Sequence, residues 1–105
     1  MRKLLLLIVA MLAIAVPAAG AGTTKTTSVR DDFFSTGKLT ISAGTTIVWK
    51  WRSTKDPHTV TDTKKRFGSR RKVSGSYQHK FAKAGTYTVY CKVHPTTMRQ
   101  KIVVR

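Results

Sequence analysis

Gly85-Thr86-Tyr87-Thr88-Val89-Tyr90-Cys91-Lys92-Val93-His94-Pro95-Thr96-Thr97-Met98 is the stretch whose reading decides how this chain folds. Its first half alternates. Tyr87, Val89 and Cys91 fall on one side of an extended backbone and Thr88 and Tyr90 on the other, as the two-residue period of a strand requires. Before it, Tyr77, His79 and Phe81 alternate with Gln78 and Lys80, and Lys83-Ala84-Gly85 lies between the two runs, so the pattern predicts a hairpin. The second half delivers a thiol, an imidazole three residues on and a thioether four further, all from one loop.

Working outward, the same two-residue pattern recurs. Thr45–Arg52 is the clearest strand, with Ile47, Trp49 and Trp51 on one face and Val48, Lys50 and Arg52 on the other. Ala43-Gly44 is a tight turn before it, and Lys38–Ser42 is a short strand carrying Leu39 and Ile41. Ser28–Phe34 reads as a first strand that ends in an aromatic plug, preceded by a threonine-rich, extended lead-in from Gly22. His58–Thr61 is expected to return to strand, Asp62–Ser76 to be a polar loop with short strands, and Gln100–Arg105 to close the chain as a strand. No helical period occurs outside the N-terminal apolar run. The expected fold is all-β: an antiparallel Greek-key sandwich or flattened barrel of about seven to eight strands.

The N-terminus reads as a secretory leader. Met1-Arg2-Lys3 is positive, Leu4 to Val16 is apolar, and Pro17-Ala18-Ala19-Gly20-Ala21 ends in small residues suited to cleavage after Ala21. The apolar run is too short to span a membrane. The expected organisation is therefore a signal at residues 1–21 and one domain at 22–105, secreted or periplasmic. Without Arg2 and Lys3, eighteen basic residues face four aspartates and no glutamate, an excess of about +14. Such a charge predicts attraction to acidic partners with strong salt dependence. The run Lys64 to Lys72 lacks interleaved aromatics, so it reads as a solvated face and no nucleic acid is expected.

Cys91 is the only cysteine, so it cannot form a disulfide within the chain. A lone thiol in an oxidising compartment must be buried, paired between chains or ligated. Ligation accounts best for its neighbours. Thiolate and thioether suit copper(I), and imidazole suits copper(II). Two imidazoles and one thiolate with a weak axial methionine therefore serve both states. Asp56-Pro57-His58-Thr59-Val60 offers the second imidazole, giving His58, Cys91, His94 and Met98 as the metal set. His79 could complete a zinc set with His58, Cys91 and His94, but its place between Tyr77 and Phe81 marks it as a packed or surface histidine.

These residues resemble the cupredoxins, the plastocyanin, pseudoazurin and amicyanin group of small blue copper proteins. The resemblance runs through Asp32-Phe33-Phe34, Ala43-Gly44-Thr45-Thr46-Ile47-Val48-Trp49, Pro57-His58-Thr59-Val60, Gly85 to Cys91, His94-Pro95 and Met98. It implies a cupredoxin-like domain with one type 1 copper held by His58, Cys91, His94 and Met98. It also implies a backbone N–H near Thr59 directed at the sulfur. Three residues separate His94 from Met98 where relatives commonly carry two or four, and Gln100 stands where they usually carry glycine. The implied role is a monomeric one-electron carrier, not an enzyme, that meets an acidic redox partner beside His94 through Val93, Pro95 and Pro57. A copper chaperone or store, and a basic secreted module for anionic polymers, are the other classes the sequence admits.

Overall fold

The computed structural model describes residues 23–105; the expected leader and its cleavage point lie outside the described residues. Eight strands follow one another: β1 (Thr24–Arg30), β2 (Phe33–Phe34), β3 (Lys38–Ile41), β4 (Thr45–Trp51), β5 (Thr61–Asp62), β6 (Ser76–Phe81), β7 (Gly85–Cys91) and β8 (His94–Val104). They form two four-stranded sheets, ordered β2-β1-β4-β6 and β3-β8-β7-β5. The all-β sandwich is as expected, but its sheets are mixed. β1 runs parallel to β4 and β3 parallel to β8, the remaining pairs being antiparallel.

Alternation places the core. Val29, Phe34, Leu39, Ile41, Ile47, Trp49, Trp51, Phe81, Val89, Ile102 and Val104 are all buried, and both sheets contribute. Trp49 sits at the centre, its ring centroid 5.8 Å from Tyr77 and 6.3 Å from Phe81. Gln100 carries a polar side chain into this core. Its Oε1 accepts from Trp49 Nε1 at 2.9 Å, while its Nε2 donates to Thr27 Oγ1 at 3.2 Å and the Thr36 carbonyl at 2.7 Å. The amide thus ties β8 to β4 and β1 with donor and acceptor both used.

Several local expectations are corrected. The predicted hairpin of residues 77–91 does not form: β6 pairs with β4 and β7 with β8, so the Lys83-Ala84-Gly85 link carries the chain between sheets. The alternation was right and the partner wrong, because the apolar faces of both runs meet the core from opposite sides. Gly85, at φ 149°, makes that corner, in a conformation side-chain-bearing residues rarely adopt. The first strand also divides. The lead-in belongs to β1, the chain reverses at Asp31-Asp32, and β2 returns antiparallel with Val29 opposite Phe34. Asp32 adopts φ 72°, a left-handed conformation that aspartate tolerates better than most residues.

After Pro57 the chain is less regular than expected. His58 exchanges backbone hydrogen bonds with Lys72 and Ser69 N donates to the Val60 carbonyl, but a strand forms only at Thr61–Asp62. The last strand is longer than expected, starting at His94. Between the pairings Cys91↔His94 and Tyr90↔Arg99, Pro95 to Met98 have no counterpart on β7. That one-sided excess bulges β8 outward next to the cysteine.

Candidate metal centre

The end of β7, the bulged start of β8 and the segment after Pro57 bring three ligand groups together. His58, Cys91 and His94 each offer an atom within 4.8 Å of the others. His58 and Cys91 are fully buried, while the His94 side chain remains 28% exposed. Cys91 Sγ lies 3.7 Å from His58 Nδ1. An ion bonded at about 2.0 Å to imidazole and about 2.3 Å to thiolate, with a trigonal angle between them, needs a separation of about 3.7 Å. His94 Nδ1 is buried with no hydrogen-bond partner. A buried, orphaned imidazole nitrogen is costly unless something binds it. The donor set is mixed, soft sulfur with imidazole, which fits copper.

The sulfur is held by two backbone donors. Thr59 N–H and Val93 N–H each reach Cys91 Sγ at 3.4 Å. The first was expected from the resemblance. The second arises because the Lys92-Val93 turn folds back over its own cysteine, and Lys92 N–H fixes that turn by donating to Thr59 Oγ1 at 2.9 Å. Two N–H groups aimed at one sulfur fix its position.

The outer nitrogens of both imidazoles are also engaged. His58 Nε2 donates to Asp31 Oδ1 at 2.9 Å, and His94 Nε2 lies 3.1 Å from Asp32 Oδ1 in an ion-pair contact. Asp31 accepts further bonds from the backbone N–H groups of Lys55 and Asp56, pinning the loop before Pro57 to the β1–β2 turn. The hydrogen bond from His58, supported by that from Lys55, holds the Asp31 carboxyl at about 2, below its ordinary 3.8.

A family match decides what this arrangement is. The family described as copper binding proteins, plastocyanin/azurin family, matches residues 22–105. This chain belongs to that family.

Solved cupredoxin structures agree. A reduced variant of amicyanin is 26% identical, with a TM-score of 0.70 over 78% of this chain and 82% of its own. A purple cupredoxin from Nitrosopumilus maritimus, 22% identical, superimposes with a TM-score of 0.68 over 77% of this chain and 99% of its own. A copper-containing nitrite reductase from Thermus scotoductus shares the fold at 22% identity, the match covering 78% of this chain but 22% of that enzyme. A search of curated proteins returns no match.

Met98 is fully buried and lies in the bulged part of β8 just before the Arg99–Tyr90 pairing. His79 stands apart from the cupredoxin site. It is half-buried and stacks on Phe67 at 3.9 Å, and burial pushes its pKa down. Three features of the site escaped the sequence: the Val93 N–H and the carboxylates of Asp31 and Asp32. The signal for the latter was present, since two of only four acidic residues stand together in a strongly basic chain.

The basic run is not uniform. Arg66 forms a bidentate ion pair with the buried Asp62 and lies 4.5 Å from the Tyr87 ring centroid, so it is part of the fold. Lys72 Nζ donates to the Ser76 carbonyl and covers the Trp51 ring. Lys64, Lys65, Arg70 and Arg71 are exposed. Arg70 and Arg71, with Lys92, Thr59, Ser69 and Val93, line a cleft of about 290 Å³ beside the backbone that holds Cys91.

Proposed function

We propose that this is an exported type 1 copper protein, its leader removed after Ala21, that carries single electrons between redox partners as a monomer. His58, Cys91 and His94 would hold the ion, with the Met98 thioether as a further, weak ligand. When bound, copper supplies the Cu(II)/Cu(I) couple. The chain supplies everything that keeps its ligands still between the two states. The observation that carries this reading is the buried His58–Cys91–His94 group, whose sulfur is fixed by two N–H donors and whose separation already suits an ion. A site fixed in this way changes little on gaining or losing an electron, which favours fast transfer.

His94 is the only one of the three with an exposed edge, so it is the electron port. Pro57 and Pro95 supply apolar contact beside it, and half-buried Val93 adds to them. Around this patch Arg70, Arg71 and Lys92 present positive charge, which suits an acidic redox protein and gives steering that falls with salt. A copper store or chaperone hands over its ion by ligand exchange, for which the thiolate must be reachable. Cys91 is fully buried, which favours the carrier.

Adding Cu(II) to the purified protein should give an intense visible band from the thiolate, and the metal should cycle on reduction and reoxidation faster than a chelator removes it. Electron exchange with an anionic oxidant should slow as salt rises, less so in Arg70→Gln/Arg71→Gln. A colourless protein that binds zinc through His79 would overturn the copper reading. Rapid loss of copper to chelators with slow redox cycling would favour the store.

A further inference from the structure

The Asp31-Asp32 turn touches both imidazoles of the site and nothing so far explains why. Asp31 lies against His58 Nε2 at 2.9 Å and Asp32 against His94 Nε2 at 3.1 Å. A carboxylate oxygen only accepts, so His58 donates to Asp31 from a protonated Nε2, while a bare Nε2 on His94 would set its lone pair against the Asp32 oxygen; in a neutral ring each arrangement favours the proton on Nε2 and the lone pair on Nδ1. On His58 that lone pair faces Cys91 Sγ, and on His94 Nδ1 is the buried atom without a partner. Two histidines from distant parts of the chain are thus set in the same tautomer by adjacent residues.

The backbone is shaped for this. Reversal between β1 and β2 needs a left-handed residue, and Asp32 supplies it at φ 72°. Glycine would make the same turn at less steric cost. The turn alone therefore does not require the carboxylate. The chain's charge sharpens the point: twenty basic residues compete for four aspartates, yet His94, not a lysine or arginine, takes Asp32.

We propose that Asp31 and Asp32 form a single positioning device for the two histidine ligands, with Asp32 orienting His94, the ligand at the surface, and placing a negative charge against its outer edge. The inference rests on the copper reading for its electrochemical part only. A carboxylate hydrogen-bonded to a ligating imidazole fixes the ring and strengthens it as a donor. The charge stabilises the more positive oxidation state, so Asp32 lowers the reduction potential. It also means the electron port is edged by a carboxylate within an otherwise basic surface.

Histidine ¹⁵N NMR of the metal-free protein near neutral pH tests the orienting role without copper. Wild type should show His58 and His94 both protonated on Nε2. Asp32→Gly, which keeps the turn, should release His94 to a mixture of tautomers and leave His58 unchanged. Voltammetry of the copper form tests the charge. Asp32→Asn should shift the potential upward, and by more than Asp56→Asn, which removes an equal charge from an aspartate that bonds to neither imidazole. Asp31→Asn should weaken Cu(II) binding by about 10–100-fold, the usual effect of losing such a partner. A wild-type His94 protonated on Nδ1, or an unchanged tautomer in Asp32→Gly, would overturn the orienting role. Equal shifts in Asp32→Asn and Asp56→Asn would overturn the charge effect. Absence of a thiolate–copper band in wild type would defeat the copper reading and leave the NMR arm standing.

Discussion

Gln100→Leu should destabilise the metal-free domain by about 2 kcal/mol, chiefly through one atom. The Trp49 indole N–H is fully buried and its partner is the Gln100 carbonyl. Leucine deprives it of that acceptor, and an orphaned buried donor costs about 1–3 kcal/mol. Thr27 Oγ1 loses a donor too but keeps Ser35 Oγ at 3.3 Å, and the Thr36 carbonyl belongs to an exposed residue that water can reach. Apolar burial of leucine returns about 1 kcal/mol, which roughly offsets the two lesser hydrogen bonds lost to Thr27 and Thr36 at about 0.5 kcal/mol each, so the indole sets the net loss. At about 4–8 °C per kcal/mol for a domain of this size, the midpoint should fall by about 8–16 °C. Urea unfolding of the metal-free protein should show a lower midpoint at unchanged slope. The attribution is tested by a double-mutant cycle. In a Trp49→Phe background no N–H remains to be orphaned, so Gln100→Leu should cost less there by about 1 kcal/mol or more. Additive effects, or a Gln100→Leu loss under about 0.5 kcal/mol, would refute the reasoning, the latter falling within the range of ordinary surface changes.

Cys91→Ser should abolish the visible band of the copper form while the domain still folds without metal, checked by absorption and circular dichroism. Met98→Leu should keep the band and raise the reduction potential, because even a weak lone-pair donor offsets more charge on the dication than on the monocation and leucine donates nothing; an unchanged potential would mean that the sulfur does not reach the ion. Asp62, whose carboxyl is held below its ordinary 3.8 by the Arg66 ion pair, should make stability fall in acid. With the folded-state value depressed, its contribution is complete above the unfolded value and is lost as pH falls below 3.8 through the folded one. Asp62→Asn should therefore be less stable at neutral pH and show a shallower acid limb in pH-dependent urea unfolding.

What could be read from the sequence followed the reach of each signal. Alternation placed Ile47, Trp49, Trp51, Val89 and Cys91 in the core, since strand period is local. Pairing is not local, which is why the stretch around Gly85 predicted a hairpin where the chain instead changes sheet. The ligand types at His58, Cys91 and His94 were legible because thiol and imidazole chemistry is scarce in this chain. Their supports were not. A backbone N–H such as that of Val93 has no letter of its own, and Asp31-Asp32 reads as part of a first strand until folding turns the chain there and sets it against two imidazoles. Gln100 was visible only as an exception to a resemblance, whereas in the fold it is the amide that satisfies a buried tryptophan.

The two parallel pairings bear on the order in which this domain can assemble. β3 pairs only with β8, Lys38 lying opposite Lys101, and β1 must wait for β4 before its second edge is paired. Contacts so far apart in sequence demand loop closure before they yield any stabilisation, so such topologies fold slowly. β8 sits between β3 and β7, and no part of that sheet except the short β5–β7 pairing can form without it. A chain emerging from its N-terminus, whether from a ribosome or a translocation channel, would therefore stay largely open until its last residues appear. His58 would meet Cys91 and His94 in their settled places only at that final step, leaving the thiol exposed to oxidant, or to copper, for the whole of the wait.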